Sequence, residues 1–152
     1  MAGAKVTDTD TGWRALREAA ERLKNVETFS IGVNTNEHRG SKGLTNEQVG
    51  AFHEFGLGKN PERSFLRAWL DDEKLWLPQL ETEMDRELTG PGDLDWARRF
   101  GAWCVKSIQD RMRRGIDPPL SAATEKSGRS GVPLIDTEQL INAIEVEVKG
   151  RA

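Results

Sequence analysis

Tyrosine is absent from the 152 residues, cysteine occurs once and histidine twice. Each shortage narrows what the chain can be. A single cysteine rules out an intrachain disulfide, and Cys104 falls in an apolar helical stripe, which marks it as a small buried hydrophobe rather than a reactive thiol. His53 has Glu54 beside it, but a zinc site needs at least one more donor at workable spacing, and the cysteine is far away in sequence. His53 and His38 therefore read as polar surface residues. Without tyrosine, five tryptophans and five phenylalanines carry the aromatic surface. No apolar run approaches the ~20 residues of a membrane helix, and no charged-then-apolar leader opens the chain. The expectation is a reducing, aqueous compartment. Surplus positive charge is missing too: the net charge of −3 lacks the basic excess of general nucleic-acid binders. No carboxylate pair sits in an apolar context and no phosphate-loop pattern occurs, so the expectation is no enzyme, no cofactor and no metal.

What is present is periodic. Residues 1–10 are small and polar and read as a flexible N-terminus, and residues 11–152 as one domain. Trp13, Leu16, Ala20 and Leu23 recur at helical spacing, with Arg14, Arg17, Glu18, Glu21 and Arg22 turned outward. Val26 to Val33 reads as a strand with Phe29, Ile31 and Val33 on one face, and Asn34 to Gly43 as a polar loop. Thr45-Asn46-Glu47-Gln48 has the form of a capping box, opening a short helix with Val49, Phe52 and Phe55 inside and Gly56 as its left-handed end.

Ser64 is placed to cap a long helix carrying Leu66, Trp69, Leu70, Leu77, Leu80, Met84 and Leu88, with a kink or restart expected at Pro78. Thr89-Gly90-Pro91-Gly92 breaks it. Asp93 then caps a second long helix, striped by Trp96, Phe100, Trp103, Cys104, Ile108 and Met112 and closed by Gly115. The two helices predict an antiparallel hairpin over residues 64–114, projecting from the rest. Its halves differ in charge: residues 71–95 hold nine acids and two bases, residues 98–114 six bases and one acid. Those charges can pair within the hairpin, weakly if exposed, or between neighbouring subunits, which would fix the register of a ring.

The remaining stretch has two proline-led turns. Pro118 and Pro119 set an extended backbone, followed by Leu120 and a Ser121 cap with Thr124. A Lys/Ser/Gly segment with Lys126 and Arg129 predicts a mobile loop over residues 125–132. Pro133, Leu134 and Ile135 then lead to a second turn capped by Asp136 or Thr137, with Gln139 and Leu140 following. Ile144, Val146 and Val148 alternate with charged residues, as in a half-buried strand. With no nucleophile–base pair, this stretch reads as a docking device. The predicted fold class is α+β: a small sheet from the N- and C-terminal strands with a long antiparallel helical hairpin.

The string Pro118-Pro119-Leu120-Ser121-Ala122-Ala123-Thr124, the Lys-Ser-Gly loop, and Pro133-Leu134-Ile135-Asp136-Thr137 with Gln139-Leu140 resemble the C-terminal signature of neck and tail-completion proteins of tailed bacteriophages, also called virion morphogenesis or minor tail proteins. Val49 to Gly56 is similar to that family's helix ending in Glu-Phe-Gly, and Glu62 to Leu70 to its Arg-Pro-Phe-Leu-Arg helix start. The likeness spans roughly residues 27 to 149. It departs at Ser64, where proline is usual, and at Glu138, where glycine is usual.

The resemblance implies a structural virion protein at the head–tail junction, made in the bacterial host cytoplasm. It would act as a homo-oligomeric ring bound to neighbouring connector, neck or tail proteins, near the DNA channel but without sequence-specific nucleic-acid or membrane binding. Pro118, Pro119, Leu120, Thr124, Lys126, Arg129, Pro133, Leu134, Ile135, Asp136, Thr137 and Leu140 would be its docking residues. The alternatives are a terminator ring capping the tail tube and a non-virion, helical-hairpin protein-binding module.

Overall fold

The computed structural model describes residues 11–23, 26–37, 43–90, 96–120 and 138–150. Along the chain run α1 (Thr11–Leu23), β1 (Val26–Val33), α2 (Asn46–Glu54), α3 (Arg67–Leu70), α4 (Glu73–Thr89), α5 (Trp96–Arg113), α6 (Gln139–Asn142) and β2 (Ile144–Gly150). The fold is α+β.

The alternating segments near the two ends of the described chain pair antiparallel, with Val33 opposite Ile144, Ile31 opposite Val146 and Phe29 opposite Val148. Same-face apolar pairs across a ladder are the unit of sheet stability. A lone two-stranded sheet is marginal in water, so this one needs a cover. α5 supplies it. Its stripe of Phe100, Cys104, Ile108 and Met112 is buried with Leu140 and Ile141 of α6 and Ile144 of β2. Phe29 and Phe100 lie 5.5 Å apart between ring centroids. Close approach is possible because position 101 is glycine: a Cβ there would lie 2.8 Å from Val146 Cγ2. Burial pushes the Cys104 thiol up to about 12.

The hairpin forms as expected but does not project. Glu83 of α4 meets Arg99 of α5 at 2.7 Å, and Trp69 Nε1 donates to Ser107 Oγ at 2.9 Å, so the partners run in reverse order. α5 is the centre of the core because its apolar stripe is the one broad enough to cover the sheet.

The expected long helix from Ser64 is divided. α3 ends at Leu70, Asp72 leaves helical geometry, and α4 starts at Glu73. The break therefore precedes Pro78, which lies inside α4. Pro78 and Lys74 are both exposed, so water can serve the Lys74 carbonyl that the proline leaves without a donor. Trp76 Nε1 donates to the Leu70 carbonyl at 2.8 Å and closes the corner. The inner face of α4 is only partly the expected one. Leu80 packs against the core and Met84 and Leu88 are half-buried, but Leu77 is exposed, as is Leu70 at the end of α3, whereas Glu83 and Glu87 are buried. A buried carboxylate needs a cationic partner, and Arg99 provides one for Glu83.

The Thr45 capping box forms in full: Gln48 N donates to Thr45 Oγ1 at 3.2 Å and Thr45 N to Gln48 Oε1 at 3.0 Å. Phe55, expected inside α2, is exposed, and the Arg67 guanidinium sits 4.8 Å from its ring centroid. Gly50, Asn46 and Glu54 hold the buried positions of α2 instead. The expected Asp93 cap, His38 and the 125–132 loop lie outside the described residues.

Candidate functional site

Glu54 ends α2, and its side chain turns back under the start of α3. Oε2 accepts from Phe65 N at 2.8 Å and Leu66 N at 3.0 Å, while Oε1 accepts from Arg67 N at 2.9 Å and Ser64 Oγ at 2.7 Å. These are the N–H groups that a helix start leaves without partners. A carboxylate there also meets the positive end of the peptide dipoles. Burial raises the Glu54 pKa, but the hydrogen bonds from Leu66, Ser64, Arg67 and Phe65 together outweigh it and hold the carboxyl below its ordinary range. Ser64 keeps part of its expected capping role, since Oγ accepts from Ala68 N at 3.1 Å.

Arg67 closes the other side. Its Nε lies 3.2 Å from Glu54 Oε1, and its Nη2 donates to the Glu54 carbonyl at 2.9 Å and to Glu62 Oε1 at 2.6 Å. Between α2 and α3 the chain must reverse tightly. Gly56 adopts φ +62, and a Cβ on it would stand 2.8 Å from the Glu62 backbone nitrogen. Only glycine meets both conditions without strain.

Arg63 extends this knot to a third stretch. It is 5% exposed, and its backbone N–H donates to the His53 carbonyl at 2.7 Å. Its Nε donates to the Pro118 carbonyl at 2.7 Å and its Nη2 to the Pro119 carbonyl at 2.9 Å. The Asp117–Pro118 peptide bond is cis. Burial lowers the Arg63 pKa, yet a guanidinium stays charged, and the carbonyl oxygens of two successive residues suit its forked donors.

Of the expected docking residues, Pro118 and Pro119 thus turn their carbonyls inward to Arg63 and leave their rings exposed, and Leu120 is half-buried. Leu140 is a core residue, in the same cluster as Phe65. Thr124, Lys126, Arg129, Pro133, Leu134, Ile135, Asp136 and Thr137 lie outside the described residues. Sequence reasoning missed Glu54, Arg63 and Arg67 as a linked set. The available signal was the two similar stretches themselves, in which Glu54, Glu62 and Arg63 have no oppositely charged residue at i+3 or i+4. His53, expected at the surface, is half-buried, and its carbonyl accepts from Arg63 N.

Two concavities flank the knot. An apolar cavity of about 490 Å³ lies between the sheet and the α3–α4 corner, with Phe29, Phe100, Leu66, Trp69, Trp76 and Trp96 among its walls. A polar cleft of about 630 Å³ is bordered by Glu62, Ser64, Arg111, Arg114 and Asp117. Among the described residues no group of three or more His, Cys, Asp or Glu is placed to hold a metal ion, and no helix is long and apolar enough to cross a membrane. No protein-family model, curated protein or solved structure matches the chain.

Proposed function

We propose that this chain is a non-catalytic structural protein of a tailed bacteriophage, acting at the head–tail junction as a ring that joins or completes the tail. The observation that supports this reading is the knot. Val49–Gly56, Glu62–Leu70 and Pro118–Leu120 carry the likeness to neck and tail-completion proteins, and they are far apart in the chain. The side chains of Glu54 and Arg63 tie them together through seven hydrogen bonds among the described residues: Glu54 accepts four from backbone N–H or hydroxyl of 64–67 and one from the Arg67 guanidinium, and Arg63 donates two to proline carbonyls. Residues that share one structural task explain why those stretches would recur together.

The charge pattern is compatible with ring formation. Glu83 and Arg99 pair within the subunit, but Asp71, Asp72, Glu73, Glu81 and Asp85 stay exposed on one side of the hairpin and Lys106, Arg113 and Arg114 on the other. Complementary faces of this kind orient neighbours and steer their encounter.

Electron microscopy of phage particles with this chain gold-labelled tests the reading. The expected result is label at the single vertex where head meets tail. Label spread over the capsid, or particles free of the chain, would overturn it.

A further inference from the structure

α1 carries Trp13, Leu16 and Ala20 on one stripe, as a helix does when it buries that stripe against something. Yet Gly12 to Glu18, Ala20 and Glu21 are all exposed, with Trp13 at 54% and Leu16 at 47%. The helix lies along α4 of its own chain while these side chains face outward. A stripe of Trp13, Leu16 and Ala20 is a large apolar surface to leave in water.

The same chain holds a receptor for such a stripe. The apolar cavity, about 490 Å³, has Phe29, Phe100, Leu66, Trp76 and Leu80 among its walls. That volume is within the ~300–1,000 Å³ typical of sites that enclose a ligand, ample for one indole and one isobutyl group. Leu70, 58% exposed, forms part of its rim. No described α1 residue lines it.

Opposite charges are available on the two surfaces. Asp71, Asp72 and Glu73 are exposed at the corner that connects Leu70 to Trp76, with Lys74 the one base beside them and Arg67 in the cavity wall. On α1, Arg14 and Arg17 stand beside Trp13 and Leu16, the acids Glu18 and Glu21 come later in the helix, the first turn holds no acid, and the Arg17 guanidinium lies 5.7 Å from the Trp13 ring centroid. An arginine already seated over the indole can travel with it to an acidic rim.

We propose that α1 of one copy of the chain docks Trp13 and Leu16 into the apolar cavity of a second copy, with Arg14 and Arg17 facing Asp71, Asp72 and Glu73. Donor and receptor are different patches, so the contact is head-to-tail and propagates from copy to copy until it closes. It names the contact behind the self-assembly argued above and rests on that part of it.

The test uses the full-length chain and sedimentation velocity up to its highest soluble concentration. Trp13→Glu/Leu16→Glu removes the donor, and Leu70→Glu charges the receptor rim. All three positions are exposed, and unchanged melting temperatures verify that both variants are folded. Each variant alone is expected to be monomeric where the parent assembles, with self-association weakened roughly 100-fold or more, as for loss of a central aromatic anchor. An equimolar mixture of the two is expected to form a dimer and nothing larger, because one intact donor meets one intact receptor. If the parent assembles and the donor variant does so equally, the α1 contact is wrong while self-assembly stands. A mixture that stays monomeric also overturns the contact. A parent that stays monomeric throughout overturns both the contact and the self-assembly on which it rests.

Discussion

The Glu54 carboxylate accepts from three backbone N–H groups, one hydroxyl and one guanidinium. Glu54→Ala leaves those buried donors without an acceptor and is expected to cost about 2–4 kcal/mol in chemical denaturation. The carboxyl is held below its ordinary range, so its stabilisation is complete above the usual carboxylate pKa and is lost as pH falls through the lower, folded-state value. Thermal melts on acidification should decline for the parent, and the decline should be shallower in Glu54→Gln. Cys104 has the opposite sign. Its thiol rises from 9.0 to about 12, so the folded chain holds a proton that the unfolded chain releases, and stability falls as pH passes from 9.0 toward 12. Cys104→Ala should lower the melting temperature at neutral pH but flatten its fall in that alkaline window. Glu138 stands in left-handed backbone with φ 53, at one of the two positions where the chain departs from the family it resembles. Left-handed geometry costs a side-chain-bearing residue about 1–2 kcal/mol, and glycine loses part of that in extra chain entropy. Glu138→Gly should therefore raise stability by up to about 1 kcal/mol; a lower melting temperature would mean that Glu138 makes a compensating contact.

The elements meet where one small residue permits it. α5 crosses the sheet over Gly101, and any Cβ there collides with the branched Val146 side chain. Alanine adds about 1 kcal/mol of helix propensity, but overpacking against a β-branched neighbour costs about 1–3 kcal/mol. Gly101→Ala should be net destabilising, and the added Val146→Ala should recover part of the loss. Additive losses in that double-mutant cycle would show that the two positions do not touch. Much of this level was legible in the sequence. Both strands, the Thr45 capping box and the α5 stripe follow from period and cap chemistry alone. The break at Asp71–Asp72 was not, because a 3.6-residue apolar pattern runs across it. The corner is held by the bond from Trp76 Nε1 to the Leu70 carbonyl and by backbone bonds from Asp72 N to the Trp69 carbonyl and from Leu75 N to the Asp72 carbonyl, none of which a period reveals. The proline at 78 was the louder local signal and the weaker determinant.

For the whole molecule, the charges of the hairpin divide between internal pairing and the outer surface. Glu83 and Arg99 are spent internally, and the exposed acids and bases are left for neighbours. Self-association should weaken as salt rises past ~0.15 M, where the screening length is about 8 Å. Light scattering checks this, and assembly indifferent to salt would assign the contact to apolar surface alone.

Sequence by itself determined the α+β class, the two strands that pair and the apolar stripe of α5, because period, caps and glycine positions are local properties; that α5 lies at the centre of the core and does not project was decided by tertiary packing. Tertiary structure alone decided which acids are inside. Nothing local separates Glu54, Glu83 and Glu87 from the other acids in the chain. A carboxylate is buried only where donors from distant segments converge on it, and that convergence exists only once the chain has folded. For the same reason the inward turn of the Pro118 and Pro119 carbonyls depends on Arg63, which approaches them only in three dimensions.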